Sequence, residues 1–400
     1  MHQTNNYTQS SVPLDHAPNY DPPPYESATA AAGSHGLDKG AGAGAGGSKW
    51  NPKNWGLKTK IGVGLAVAVA IVVIVVGAYY GTRNEEYPDY SRLNYTLTKE
   101  YSGTNFFDDF EFYTATDPTH GFVDYVDNRT ATLMNLTYAS STSAILRVDH
   151  TESGQQIRTS GRKSVRITSN TRYDLGLFVF DIQHSPYGCA TWPAVWLSDP
   201  NNWPSNGEID ILEGVNQVSN NRSQTTLHTS SDCKMSHVKR KESGSVLATN
   251  CWNETDANAG CGVQGGKNSF GAGFNAHGGG VYAMELRDAG IRVWFFGRGD
   301  EPADLANSTY TNGSSVRPDP SRWGEAMADF PSTDCDVSTH FRNQSIIANI
   351  GVCGDWAGSP AVYTTKDSCP ATCATYAETN ASAFDKAYWE FNSFRVYTAT

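Results

Sequence analysis

The run Ile61–Gly81, IGVGLAVAVAIVVIVVGAYYG, carries no charge over 21 residues. As a helix, at about 1.5 Å per residue, it is long enough to cross the ~30 Å hydrocarbon layer of a bilayer. In lipid every backbone N–H and C=O needs an internal partner, so such a run reads as a membrane-crossing helix; a buried core helix is the alternative, which so long and uncharged a Val/Ile run fits poorly. Tyr79 and Tyr80 at its end suit the membrane interface. A cleaved signal peptide fits poorly, because the run is too long and begins only at residue 61. Lys49, Lys53, Lys58 and Lys60 precede it without an acid among them, whereas Glu85, Glu86 and Asp89 follow. The positive-inside tendency predicts a cytosolic N-terminus and an extracellular or lumenal C-terminal bulk, the type II single-pass arrangement.

The span divides the chain. Residues 1–60 are Pro-, Ser-, Ala- and Gly-rich without apolar periodicity, as in DPPPYESATAAAGSHG, and predict a disordered cytosolic tail with a basic juxtamembrane end. Within it PPPY (Pro22–Tyr25) matches the PPxY pattern that WW domains read from polyproline II, although a neutral proline-rich linker reads the same way. The signal anchor is expected over 61–81, a stalk over 82–104 and one domain over 105–400. All eight cysteines (189, 233, 251, 261, 335, 353, 369 and 373) follow the span, as disulfides in an oxidising compartment require, and their pairing stays open. Asn-X-Ser/Thr sequons crowd the same side at Asn94, Asn128, Asn135, Asn221, Asn253, Asn307, Asn312, Asn343 and Asn380. A net charge of −11 argues against a nucleic-acid partner.

Beyond about residue 101, short β-branched and aromatic runs alternate with Gly, Asn, Ser and Thr turns: SAILRVDH, KSVRITS, LGLFVFDIQ, IRVWFFG, WEFNSFRVY. This pattern predicts an all-β fold, a jelly-roll sandwich with long loops pinned by disulfides. One stretch resists that frame. GEIDILEG (207–214) sets Glu208, Asp210 and Glu213 among core-type aliphatics. In a regular strand Glu208 and Asp210 share a face and Glu213 takes the other. An exposed edge strand accounts for the first two acids, but not for Trp192, Trp196 and Trp203 just before them. A β-bulge at Ile211–Leu212 would bring Glu213 to the face of Glu208. Three carboxyls on one concave surface would raise at least one pKa. Glycoside hydrolysis needs such a pair; in retaining enzymes the two lie about 5–5.5 Å apart, one attacking the anomeric carbon while the other protonates the leaving oxygen.

The chain resembles glycoside hydrolase family 16, most closely the fungal endo-1,3(4)-β-glucanases of laminarinase or mixed-linkage type. The matching blocks are GEIDILEGVN (207–216), WPAVWL (192–197), SVRITS (164–169), TTLHTS (225–230), GAGFNAHGGGVYAMEL (271–286), VWFFGRG (293–299), NIGVCGDWAG (349–358) and YWEFNSFRVY (388–397). The resemblance implies a concanavalin-A-like jelly roll acting on β-glucan. It implies Glu208 as nucleophile, Glu213 as general acid/base, and Asp210 as the carboxylate that hydrogen-bonds the nucleophile. It places sugar-stacking tryptophans at Trp196, Trp203 and Trp356. Trp294 and Trp389 lie on strand-like runs and read as core, while Trp192 is open.

Arg166 alternates with Val165 and Ile167, pointing either into a cleft toward sugar hydroxyls or to the surface. His228 either supports Glu213 or is a hydrogen-bonded structural histidine. Gly278–Gly280 lacks a phosphate-loop spacing and reads as a tight turn, and CPATC (369–373) reads as a loop clamp. No Cys/His spacing suggests zinc, so no metal and no cofactor is expected; some family members carry a structural calcium, for which no ligand set stands out here. Hydrolysis, transfer of the sugar to another glucan, and non-catalytic glucan binding on the same fold remain distinct readings of these residues.

Overall fold

The computed structural model describes residues 56–81, 87–151, 153, 155–216, 221–306 and 317–400, so Pro22–Tyr25, Asn307 and Asn312 lie outside the described residues. The chain falls into two units, Met1–Tyr80 and Gly81–Thr400. In the first, one helix spans Leu57–Gly81. It begins one turn before the uncharged run because Leu57, Lys58 and Lys60 are good helix formers. Its stretch Leu57–Ile74 has a mean hydropathy of 2.1, with no part buried in protein. Beyond Lys60 its sequence carries no charge on any side of the helix.

The second unit is a sandwich of two eight-stranded antiparallel sheets. The front sheet runs, in spatial order, Ser245–Val246, Cys261–Gln264, Gln224–His228, Glu208–Glu213, Thr191–Ser198, Gln344–Val352, Arg166–Tyr173 and Phe110–Phe112. The back sheet runs Ala328–Pro331, Gly290–Gly297, Gly280–Arg287, Gly176–His184, Tyr388–Ala399, Ala144–Arg147 and Thr137–Ala139, with Tyr95–Ser102 also paired to Tyr388–Ala399. Between them Val195, Ile209, Leu212, Leu227 and Ile346 of the front sheet meet Phe178, Phe180, Met284 and Phe394 of the back. Each such side chain contributes roughly 1.5–3 kcal/mol on burial, which makes the front sheet a stiff platform. Trp389 is in this core, as its strand-like run implied.

The run LFVF (177–180) does not alternate with polar residues because both of its faces are covered. Leu177 and Val179 enter a second cluster behind the back sheet, with Tyr95, Trp294, Trp323 and Tyr397. That cluster moves the domain boundary. Residues 82–104 read as a stalk, yet Tyr95–Ser102 pairs in register with Ser393–Ala399. Tyr87 and Tyr90 hydrogen-bond Asp329, and Tyr95 hydrogen-bonds Glu285. The polar content of this segment concealed a strand divided by a bulge between Leu97 and Lys99, so that Tyr95 and Leu97 cover the back sheet while Tyr101 enters the core between the sheets.

The disulfides are Cys189–Cys369, Cys233–Cys335, Cys251–Cys261 and Cys353–Cys373, and no cysteine is free. The two cysteines of CPATC thus reach separate partners. One lies just before the strand Thr191–Ser198 and the other just after Gln344–Val352, which are neighbours in the front sheet. The clamp therefore fastens one end of the sheet that carries the acids. Gly278 and Gly279, both at positive φ, turn the chain into the strand Gly280–Arg287.

Candidate active site

The parity problem resolves at one residue. Against Thr191–Ser198, Glu208 pairs with Ser198, Asp210 with Trp196, Leu212 with Val195 and Glu213 with Ala194. Ile211 has no partner in that register, so it is the extra residue of a β-bulge. The Thr225 hydroxyl donates to the Ile211 carbonyl at 2.8 Å, satisfying a backbone group that the bulge displaces from the ladder. Ile209, Ile211 and Leu212 are all buried, while the three acids share the opposite face. The flanking glycines have steric reasons. Gly207 sits at φ +73°, where a Cβ would come within 2.4 Å of the His340 carbonyl, and a Cβ on Gly214 would meet the Phe270 ring at 2.6 Å.

Cross-strand register carries this face over the sheet. Glu208 lies opposite His228 and Asp210 opposite Thr226 on one side. On the other, Trp196, Ala194 and Trp192 stand beside Ile347, Asn349 and Gly351, and Asn349 stands beside Arg166. The result is an aromatic cleft around the acids. Trp192, open on sequence grounds, belongs to it: its Nε1 donates to Glu213 Oε1 at 2.7 Å, and its ring meets Trp356 edge-on at 5.7 Å. Trp203 is 41% exposed on the loop before Glu208, and its indole N–H favours the ionised form of that carboxylate. Trp196 donates to Asn349 Oδ1 at 2.8 Å. Arg166 is 7% exposed, so its surface alternative falls away. Its guanidinium lies between the rings of Tyr113, at 4.5 Å, and Trp196, at 4.8 Å. Trp294 is buried behind the back sheet, away from the acids, as its strand-like run implied.

Burial dominates the electrostatics. Desolvation pushes Glu208 up to about 7 against the opposing pull of Arg166 and the Trp203 hydrogen bond. It likewise pushes Glu213 up to about 7 against the Trp192 hydrogen bond and His228, with Glu208 adding to the rise. Asp210, buried and beside both glutamates, is held well above the usual carboxylate range by desolvation and their charge. His228 is driven below its ordinary value by burial, so it is neutral near pH 7. Its Nε2 lies 3.4 Å from Asp210 Oδ2 and its Nδ1 lies 3.0 Å from Asn258 Oδ1. With an amide oxygen facing Nδ1, that nitrogen carries the proton. His228 thus contacts Asp210 directly and acts on Glu213 only through space. Among the described residues, Glu208, Asp210 and His228 are the set whose ligand-type atoms lie close enough, within 4.8 Å of one another, to hold a cation.

Carboxyls with raised pKa values, converging with tryptophans on an open sheet face, form a site able to bind sugar rings and exchange protons at their linkages. Family comparison decides its lineage: the model described as the XgeA-like catalytic GH16 domain matches residues 110–397. This chain belongs to glycoside hydrolase family 16. It is 44% identical over 317 residues to a probable glycosidase of Schizosaccharomyces pombe, covering 78% of this chain and 71% of that one. A probable endo-1,3(4)-β-glucanase of Aspergillus niger is 40% identical over 316 residues, covering 76% of this chain but 40% of that longer protein. Among solved structures, the GH16 laminarinase 16A of Phanerochaete chrysosporium superposes with a TM-score of 0.72 at 44% identity, covering 76% of this chain and all of that one. That structure holds two 6-O-glucosyl-laminaritriose β-glucans in donor and acceptor sites. An elongating GH16 β-1,3-glucosyltransferase superposes at 0.68 with 39% identity, covering 76% of this chain and all of that one.

Tyr113, Asn349 and Asn258 went unremarked in the sequence. Asn349 had a signal, since NIGVCGDW alternates as a strand, which sets it two residues from the in-register partner of Trp192. Asn258 had none, because it lies on an irregular loop.

Proposed function

We propose that this family 16 chain is a retaining endo-β-glucanase that hydrolyses 1,3- and 1,3-1,4-linked β-glucan. One observation carries the reading: the bulge at Ile211 puts Glu213 on the face of Glu208, and burial poises both near pH 7. Glucan rings stack along Trp203, Trp356 and Trp196, with Arg166 and His228 lining the same face. Glu208, ionised beside Arg166, attacks the anomeric carbon while the Glu213 carboxyl gives its proton to the departing glycosidic oxygen. The anomeric C–O bond breaks as the ester to Glu208 forms. Asp210, kept protonated, donates to Glu208 and steadies its charge. Glu213, now ionised, takes a proton from water as the water oxygen attacks the anomeric carbon; the bond from that carbon to the Glu208 oxygen breaks and Glu208 leaves as a carboxylate. The names of the relatives and the glucan-bound laminarinase support this substrate class.

Full-length protein in detergent, incubated with laminarin and lichenan, tests it. Glu213→Ala should lose about 10²–10⁴-fold in rate, and Glu208→Ala should fall to background. Release of no reducing sugar by the wild type, or either variant near wild-type rate, removes the assignment; glucan binding without turnover would instead mean a non-catalytic module. The glucosyltransferase neighbour favours a second reading, transfer of the Glu208-bound sugar to another glucan. Chains longer than the starting oligosaccharide would select it.

The same proposal anchors the enzyme by the Leu57–Gly81 helix, with residues 1–60 cytosolic and the catalytic unit extracellular or lumenal. The flanking lysines, the complete disulfide pairing and the sequons support that orientation. Protease added to sealed microsomes should clip only the N-terminal tail. In the tail, PPPY is proposed to bind a ubiquitin ligase with WW domains; unchanged half-life and WW-domain binding in Tyr25→Ala would refute it.

A further inference from the structure

Several buried carboxylates lie outside the chemistry above, and one of them stands beside the loop that carries Trp203. Asp199 directly follows the strand Thr191–Ser198 that carries Trp192 and Trp196, and it is 0% exposed. Its Oδ2 accepts from the side-chain amides of Asn202, Asn206 and Asn343, each at 2.8 Å. Its Oδ1 accepts from the Asn201 backbone N–H at 3.2 Å and from Arg172 Nη1 at 3.0 Å. Burial alone would raise the Asp199 pKa; the bonds from Asn202, Asn343, Asn206 and Asn201 outweigh it and hold the carboxyl well below the usual carboxylate range. An ionised carboxylate offers about four lone-pair sites, so five donors saturate it.

What this anchor holds is the loop between the strand and Glu208. Asn202 and Asn206 are pinned to the same oxygen atom, and between them lies Trp203. The span is closed further by Asn206 N–H on the Asn202 carbonyl at 3.0 Å and Gly207 N–H on the Pro204 carbonyl at 2.9 Å. From the far side, Arg342 Nε reaches Asn206 Oδ1 at 2.9 Å. Trp203 itself is nearly half exposed, so its orientation depends on the backbone beneath it more than on packing around it. That orientation serves two purposes in the cleft, presenting the indole face to glucan and its N–H to Glu208.

We infer that Asp199 is a positioning residue that sets Trp203 over the cleft, so that glucan binding depends on a carboxylate that touches no sugar. The inference rests on the reading of the cleft as a glucan site. An amide cannot replace the carboxylate, because one of its two ends must turn an NH₂ group toward Arg172 and Asn201 or toward the three amides.

Full-length Asp199→Asn, Trp203→Phe and the double variant, each assayed on laminarin, test it. Asp199→Asn should raise KM by up to about tenfold, the loss of one well-placed stacking contact, with a smaller change in kcat. The double variant should be within about twofold of the more severe single one, because both act through the same indole. Multiplying effects, or an Asp199→Asn form with lowered Tm and unchanged KM, would overturn the inference. Asn202→Ala removes one donor from the same oxygen and serves where Asp199→Asn does not fold. A substrate-free readout separates this inference from the functional reading. Trp203 emission, taken as wild type minus Trp203→Phe, should become more quenchable by acrylamide in Asp199→Asn, and unchanged quenching refutes the positioning role even if no glucan is cleaved.

Discussion

Replacing Trp192 with phenylalanine should widen the pH range of activity on its alkaline side. The indole N–H of Trp192 lies 2.7 Å from Glu213 Oε1, and Glu213 is 8% exposed, so solvent screens the bond little. A hydrogen bond to a charged group contributes about 1.5–3 kcal/mol, and about 1.4 kcal/mol corresponds to one pKa unit. The N–H favours the ionised form of Glu213, so its removal favours the protonated form. Glu213, already pushed up to about 7, should then titrate about one to two units higher. Phenylalanine keeps a ring against Trp356, which limits the change to the lost donor. In the proposed mechanism glycosylation needs Glu213 protonated and Glu208 ionised, so Glu213 should set the basic limb of kcat/KM and Glu208 the acidic one. Arg166 and Trp203, which pull Glu208 down, are untouched, and the acidic limb should hold. The measurement is kcat/KM on laminarin from roughly pH 4 to 10. A basic limb that stays in place or moves down would refute the assignment of Glu213 as acid. Trp203→Phe supplies the converse, since losing the donor on Glu208 should raise the acidic limb instead.

Three further outcomes follow from the same contacts. Because Glu213 is raised from 4.5 to about 7, the folded state keeps a proton that the unfolded chain releases, so stability should fall as pH rises across that window, by at most about 3 kcal/mol; Tm against pH should show a fall that Glu213→Gln reduces. Asp199 acts oppositely and lower, its contribution being lost only as pH falls below its ordinary 3.8. Replacing Cys251 and Cys261 with alanine opens the loop bearing Asn258; it should cost about 3 kcal/mol by loop entropy, seen in chemical denaturation, and lower kcat/KM roughly fivefold through one lost hydrogen bond on His228. Glycopeptide mass spectrometry should find glycan on exposed Asn94, Asn128 and Asn135, and none on Asn343, whose Nδ2 is held by Asp199; high occupancy at Asn343 in active enzyme would contradict this.

What could be read from the sequence was whatever a single segment encodes. Glu208, Asp210 and Glu213 lie within six residues, so strand parity alone exposed the conflict, and one inserted residue was the smallest change able to resolve it. The jelly roll was legible for the same reason, since each short strand shows its own turn signals. Properties made by meetings between distant segments were hidden. Trp192 reaches Glu213 across 21 residues, and Asn258 reaches His228 across 30, from a loop without periodicity. The segment 87–102 looked like a stalk because the surface it covers lies some two hundred residues away, at Glu285 and Asp329. Asp199 is the sharpest case. In SDPNNWPSN it reads as an ordinary turn aspartate, and only the fold shows that Arg172 and Asn343 converge on it. The grouping of the three acids is therefore local information, while their tuning is not: the charge of Glu208 depends on Arg166 from one strand and on Trp203 from a loop anchored at three places in the chain. Relatives sharing the acid motif can thus differ in pH range and glucan affinity without any change in the motif itself.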